Sequence, residues 1–539
     1  MFTYDHFFPY PEVRPEQDKA IQFALNAFLK DDKRFVIVEA GTGVGKSAIG
    51  FTIAKYLNHD AQARSTTPDD NLGTYYLTTQ KVLQEQYMKD FKSKGMLSLQ
   101  SSVNFRCKYY KSKTCAQARR ELKATQDHKF KANCQGGGCR YMASKKKFID
   151  GYHGVTNFAY FLAETHYAGQ LTPRKLMIVD ECHNTELQLG SFIDITISEN
   201  FAKNVLKLNI PTMTTEHQVF TWITKTYKPK LFGVKKHYET QIEKLSLAHR
   251  LPEFLKVSQQ FELLDKHLCK LCRFIDHYDK KNWVMNESRL DNGTRKWEFK
   301  PICVGPFSES YLFKHSEKVL LMSATVMNQD AFCEVLGIDK SECAFISIPS
   351  PFPIENRPIV VSPIASMSKN NIDQGLPQMA KAVKAILDAH PKEKGIIHCH
   401  SYKIAKYLKK NIRSRRLLTH TSTDRERILK KHIADSRPTV LLSPSMQEGV
   451  DLKGDSSRFQ ILCKIPFPYL GDKLIRKRMH KWKWWYPLQT AKTIVQSVGR
   501  SVRSNDDSAI TYILDADWER FYNNHSNLFP KGFKDCIQR

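Results

Sequence analysis

The sequence predicts an α/β protein with two tandem parallel-sheet domains and two insertions in the first of them. Three observations carry this expectation. Short β-branched runs recur, RFVIVEA (34–40), TYYLTT (74–79), KLMIVDE (175–181) and KVLLMSAT (318–325), each followed by a polar or glycine-rich turn and a helical pattern. That alternation predicts parallel strands covered by helices. A second series, KGIIHCH (394–400), TVLLSPS (439–445), FQILCKI (459–465) and AITYILD (509–515), repeats it after the proline-rich joint IPSPFPIENRP (348–358). Two segments break the alternation: a basic, cysteine-bearing stretch, and a segment in which Leu264, Leu268, Leu271 and Ile275 recur at helical spacing.

In chain order the first sheet domain is expected to comprise residues 1–100, 151–200 and 291–348, interrupted by a cysteine lobe at 101–150 and a helical insertion at 201–290. Residues 349–539 form the second sheet domain. A chain of 539 residues exceeds what one hydrophobic core serves, so several domains are expected on length alone. The lone Cys269 and Cys272 pair lies beside the apolar stripe of the helical insertion and reads as core.

The formal net charge of +28 attracts polyanions and makes nucleic acid the first candidate partner. No stretch approaches the roughly eighteen consecutive apolar residues of a membrane helix, and the start has neither a basic leader nor an apolar core, so a cytosolic protein is expected. An odd total of 13 cysteines argues against a disulfide framework in such a compartment and turns attention to metal.

The run RFVIVEA leads into AGTGVGKS (40–47) and then the apolar helix AIGFTIAKYL, the strand, phosphate loop and helix context of a P-loop. Gly41, Gly43 and Gly45 allow a tight turn that aims backbone N–H groups at phosphates, with Thr42 and Val44 between them. Lys46 reaches the outer phosphates and Ser47 can ligate magnesium. The strict pattern begins with glycine, where this chain has Ala40. Asp180 and Glu181 end an apolar run as adjacent carboxylates, one suited to hold magnesium and the other to activate a water. In QSVGRSVR (496–503), Arg500 and Arg503 share a helix face and suit neutralisation of charge on a γ-phosphate.

These residues resemble, in order, the motifs of the XPD/DinG-like, iron-sulfur type of superfamily-2 DNA helicases. RPEQ (14–17) resembles the adenine-contacting motif, AGTGVGKS motif I, TTQKVLQEQ (78–86) motif Ia, DECH (180–183) motif II and SAT (323–325) motif III. HCHSY (398–402) resembles motif IV, EGVDLKGD (448–455) motif V and QSVGRSVR motif VI, and SPFPIENRP matches the family's wording between its motor domains. Cys182 stands where relatives carry alanine or another small residue.

The resemblance implies two tandem RecA-like motor domains, with a cysteine-ligated cluster insertion and a helical Arch-like insertion in the first. It implies an ATP-dependent DNA helicase moving 5′ to 3′ on single strands, a monomeric motor of a bacterium or of a virus in a bacterial host, acting on single-stranded and forked duplex DNA. An ATP-driven translocase on RNA-containing structures, or a non-unwinding DNA remodeller, is the alternative. By the same resemblance Arg14 and Gln17 read adenine, Glu181 is the catalytic carboxylate, Gln496, Arg500 and Arg503 serve ATP from the second motor domain, and Gly449 and Asp451 couple ATP to DNA. ATP and Mg2+ are the implied cofactors at the P-loop. Cys107, Cys115, Cys134 and Cys139 fall where the family inserts its cluster domain, and their thiolates suit a 4Fe-4S cluster, with a tetrahedral zinc as the alternative.

Around those cysteines Lys108, Lys111, Lys113, Arg119, Arg120, Lys145, Lys146 and Lys147, with Tyr109 and Tyr110, are expected to form a surface that tracks phosphates and stacks bases. A second basic and aromatic run, RKRMHKWKWWY (476–486), suits either DNA contact or core.

Overall fold

The computed structural model describes residues 2–538 except 65–71, 126, 248–250, 291–292, 422, 445–451, 453, 500, 503 and 505. The first half contributes strands β1 (Phe35–Ala40), β2 (Thr74–Thr78), β3 (Met96–Leu99), β4 (His153–Asn157), β5 (Arg174–Asp180), β6 (Ile195–Ser198), β7 (Trp283–Arg289), β8 (Arg295–Pro301), β9 (Ser316–Ser323) and β10 (Cys343–Ile348). The second half contributes β11 (Ile359–Ala365), β12 (Gly395–His398), β13 (Leu417–Thr419), β14 (Val440–Ser443), β15 (Phe459–Leu462), β16 (Ile510–Asp515) and β17 (Ile537–Gln538).

Among the described residues these strands form two seven-stranded sheets, in the orders β10-β1-β9-β5-β2-β4-β3 and β13-β14-β12-β15-β16-β11-β17. Every pairing in both is parallel. Parallel strands covered on both faces must be apolar throughout, and β1 is buried along its whole length, as are β2, β12, β14 and β15. One face of the first sheet packs Val36 and Val38 against helices Pro15–Leu29 and Lys46–Arg64. The opposite face packs Phe35 and Ile37 into a larger cluster shared with both insertions.

The second insertion is helical over Glu216–Trp222, Lys228–Leu247 and Leu251–His277, with Leu264, Leu268 and Leu271 on its buried face. Helical character stops at His277, however: β7 follows at Trp283 and pairs antiparallel with β8, which pairs with β6. The reason is local, since Trp297, Phe299 and Pro301 are buried at a period of two that no helix accommodates, with Met285 and Trp283 buried opposite Phe299 and Pro301 across the ladder.

The tryptophan-rich run also resolves. Trp482 and Trp485 are buried in the first domain's larger core cluster although they belong to the second half of the chain. The preceding helix, Lys473–Lys481, is clasped to the first domain by Arg478 to Glu186 at 2.7 Å, and Trp482 Nε1 donates to Glu334 at 2.5 Å. These tryptophans are therefore core. Among the described residues no helix is long and apolar enough to cross a membrane.

Candidate nucleotide site and cysteine lobe

β1 ends at Ala40 and helix Lys46–Arg64 begins five residues after Gly41, so the glycine loop bends sharply between them. Gly43 and Gly45 adopt φ of 90° and 86°, a region L side chains avoid. The loop is also crowded from outside: a β-carbon at Gly45 would fall 2.5 Å from Nε2 of Gln17. Val44 turns its side chain into the core, whereas Gly41, Thr42, Gly43, Gly45, Lys46 and Ser47 line a cleft of about 1380 Å³ between the two sheets.

Arg14 and Gln17 stand at the entrance to helix Pro15–Leu29. The Arg14 guanidinium donates to the Gly43 carbonyl at 2.8 Å, and the Arg14 amide donates to the Gln17 side chain at 3.1 Å. Both residues line the cleft beside the loop.

Asp180 and Glu181 enter from the end of β5, which neighbours β9 and, through it, β1. Asp180 is buried, accepting from Tyr87 Oη at 3.2 Å and from the Glu181 amide at 3.0 Å. Burial above all, then the Glu181 charge, raises its carboxyl to about 6, opposed by Lys46. A divalent cation in this cleft would relieve that strain by favouring the ionised form. Glu181 takes φ 53°, which turns its carboxylate toward Lys46 Nζ at 3.9 Å and His183 Nδ1 at 3.3 Å.

From Glu181 a chain of polar contacts crosses to the second sheet domain. His183 Nδ1 lies 2.7 Å from Ser323 Oγ, which accepts from the Thr325 amide at 3.1 Å. Gln496 Nε2, on helix Trp485–Val498, donates to Thr325 Oγ1 at 2.9 Å, and Lys492 donates to the His183 carbonyl at 3.1 Å. Lys492 is absent from the sequence reading, although it lies one helical turn before Gln496 and so shares its face. Cys182 is fully buried and belongs to the core. Arg500, Arg503, Gly449 and Asp451 lie outside the described residues; Gly499 and Val502, beside the arginines in sequence, line the cleft.

The known proteins similar to this chain point the same way. Residues 383–536 match the model of the helicase C-terminal domain, and residues 10–214 that of the type III restriction enzyme res subunit. The ATP-dependent DNA helicase YoaA of Escherichia coli is 25% identical over 36% of this chain and 32% of its own length. The ATP-dependent DNA helicase DinG of Photobacterium profundum is 27% identical over 43% of this chain and 36% of its own. The chain thus spans about a third of the length of these two relatives. A probable ATP-dependent helicase of Methanocaldococcus jannaschii is 22% identical over 95% of this chain and 93% of its own. In fold, an XPD helicase superposes with a TM-score of 0.64 at 14% identity, covering 96% of this chain and 99% of that one. The chain is thus similar in sequence to ATP-dependent DNA helicases and in fold to an XPD helicase.

The four cysteines Cys107, Cys115, Cys134 and Cys139 line one small pocket. Cys115 opens helix Cys115–Thr125 and its Sγ lies 3.6 Å from Sγ of Cys139, which precedes helix Arg140–Asp150. The Tyr110 amide donates to Cys107 Sγ at 3.3 Å. Burial first, then the neighbouring Cys139, pushes the Cys115 thiol up to about 12, and Cys134 is raised to about 11 for the same leading reason. Among the described residues no three histidine, cysteine or acidic side chains are arranged to grip a single metal ion. A thiol-only donor set around one pocket nevertheless fits a thiolate-ligated group by its chemistry.

The basic surface of the lobe is smaller than its composition suggests. Lys108, Lys111, Arg119, Lys146 and Lys147 are exposed, and Tyr109 stands out at 41% exposure. Lys145 is not part of it: its side chain is buried in an ion pair with Glu164, because helical phase places it on the face of Tyr141 and Phe148. Lys113 pairs with Glu121, and Arg120 with Glu262 of helix Leu251–His277 at 2.9 Å, which ties the lobe to the helical insertion.

Proposed function

We propose that this chain is an ATP-dependent DNA helicase that translocates 5′ to 3′ on single-stranded DNA and unwinds duplex. The observation that carries the reading is the polar chain from Glu181 through His183, Ser323 and Thr325 to Gln496, because it joins the hydrolytic carboxylate of one sheet domain to the other domain. Hydrolysis at such a site alters what the two domains hold between them, and alternating closure and opening of that cleft is how a two-domain motor steps along a strand.

In this reading the loop amides of residues 41–47 and Lys46 hold the phosphates, Arg14 and Gln17 face the base, and Glu181 orients and deprotonates the attacking water. His183 holds one Glu181 oxygen while Lys46 faces the other, which fixes the carboxylate's aim. Arg500 and Arg503 complete the charge balance from the second domain, and Gly449 and Asp451 answer to DNA. Ser47 and Asp180 would hold Mg2+, which supplies neutralisation of the phosphate oxygens. The four lobe cysteines would hold a 4Fe-4S cluster, which staples a small lobe poor in apolar residues.

The residue segments 1–100, 151–200 and 291–348 make up the first motor domain in this scheme, with 101–150 the cluster lobe, 201–290 the Arch-like insertion and 349–539 the second motor domain. Strand displacement on matched 5′-tailed and 3′-tailed duplexes tests activity and polarity together. Displacement of the 5′-tailed substrate alone, dependent on ATP, is expected; displacement of neither, by protein purified anaerobically with its metal content measured, would refute unwinding.

A further inference from the structure

The joint between the two sheets does more than connect them, because its first half lies along the phosphate loop. The Gly41 amide donates to the Ile348 carbonyl at 2.9 Å, and Ser350 Oγ donates to the Thr42 carbonyl at 2.8 Å. One step further on, the ring of Phe352 occupies the space a side chain at Gly43 would need: a β-carbon there would fall 2.0 Å from Cζ of the ring. Glycine at this position is therefore required twice, by its φ of 90° and by the ring.

The other side of Phe352 faces the second sheet domain. The ring is 6% exposed and clusters with Val502 and Ala509, at 8% and 4%. Val502 lies in the sequence SVRS, within motif VI, and also lines the cleft. A single aromatic side chain is thus packed against the phosphate loop on one side and against the motif VI segment on the other.

We infer that Phe352 is a positioning residue for ATP hydrolysis, a packed spacer that sets where the motif VI segment sits relative to the phosphate loop. The inference rests on the reading of the cleft as an ATP site. Close-packed interiors transmit displacement rather than absorb it, so a shift of the loop at Gly43 is passed through the ring to Val502. Removing the ring leaves each side free to settle alone. Misplacement of about 1 Å in groups that must converge on a reacting atom costs about 10²-fold in rate, whereas ADP binding, which needs only the loop and the base contacts, is spared.

The experiment compares the parent with Phe352→Ala, Phe352→Leu, Val502→Ala and Lys46→Ala, following steady-state ATP hydrolysis, ADP affinity, thermal melting, and trapping of ADP with aluminium fluoride as a transition-state mimic. Phe352→Ala is expected to lower kcat about 10- to 100-fold with KM for ATP within about twofold, to bind ADP as the parent does, and to lose trapping. Phe352→Leu should recover part of kcat, and Val502→Ala should reproduce the split more weakly. Parental kcat in Phe352→Ala, or a raised KM with kcat unchanged, would overturn the spacer role, the second result making the ring a wall of the nucleotide site instead. If Phe352→Ala melts early, the same criteria apply to Phe352→Leu and Val502→Ala. Parental hydrolysis by Lys46→Ala would instead sink the reading of the cleft, and the spacer with it.

Discussion

The buried ion pair between Lys145 and Glu164 offers a sharp test of how the cysteine lobe is fixed to the first sheet domain. Lys145 belongs to helix Arg140–Asp150 of the lobe and Glu164 to the chain just after β4 and its following helix, and their side chains are 8% and 7% exposed. The second Glu164 oxygen accepts from Tyr160 Oη at 3.0 Å, and Tyr160 Oη lies 3.0 Å from Tyr141 Oη. Glu164→Gln keeps the shape but leaves a buried ammonium without its carboxylate, a loss of about 3–5 kcal/mol. Read by hydrogen exchange, that corresponds to roughly 10²- to 10⁴-fold faster exchange of the amides in helix 140–150, with the sheet core of the first domain unchanged. The double variant Lys145→Met, Glu164→Leu removes both charges and should lie within about 1 kcal/mol of the parent. Less than tenfold acceleration in Glu164→Gln, or a double variant as labile as the single, would refute the reasoning.

Two further perturbations follow from the structure. Gln496→Ala breaks the contact to Thr325 across the cleft and should lower DNA-stimulated ATP turnover by up to about tenfold while sparing the DNA-free rate; equal loss in both would deny the contact a coupling role. His153, buried in β4, is held down to about 3 by burial and by the charges of Lys55 and Arg174, so the folded state keeps it neutral where the unfolded chain, titrating near 6.5, takes a proton. Its contribution is therefore present above about pH 6.5 and lost as pH falls, about 2 kcal/mol by pH 5, and denaturant melting of His153→Gln should show a shallower loss between pH 7 and 5 than the parent.

The parallel architecture is legible in the sequence because a strand buried on both faces is apolar along its length, as FVIVEA is, and because each such run is followed by helical periodicity. The order of the strands is not: β9 lies between β1 and β5 although more than a hundred residues separate it from either, and no local pattern encodes that choice. The phosphate loop can be read locally, since strand, glycines, lysine and helix lie within a few residues of one another. The partnership of Glu181 with Thr325 and Gln496 cannot, because it depends on how two sheets face each other. Lys145 shares the run SKKKF with two exposed lysines, and only its phase relative to Tyr141 and Phe148 distinguishes it. The tryptophans of KWKWWY likewise carry no local mark of whether they face DNA or a core; the first domain's surface decides. In the helical insertion the apolar stripe is legible as far as His277, and the alternation of Trp297, Phe299 and Pro301 with charged residues is the signal that marks β8.

The most direct test of the account is steady-state ATP hydrolysis, with and without single-stranded DNA, by the parent, Lys46→Ala and Glu181→Gln, together with the DNA affinity of each. The account predicts that both variants lose turnover by about 10²- to 10⁴-fold or more, since one removes the phosphate cation and the other the base, while binding single-stranded DNA as the parent does. Hydrolysis at the parental rate by either variant would contradict the assignment of this cleft as the site that drives the motor.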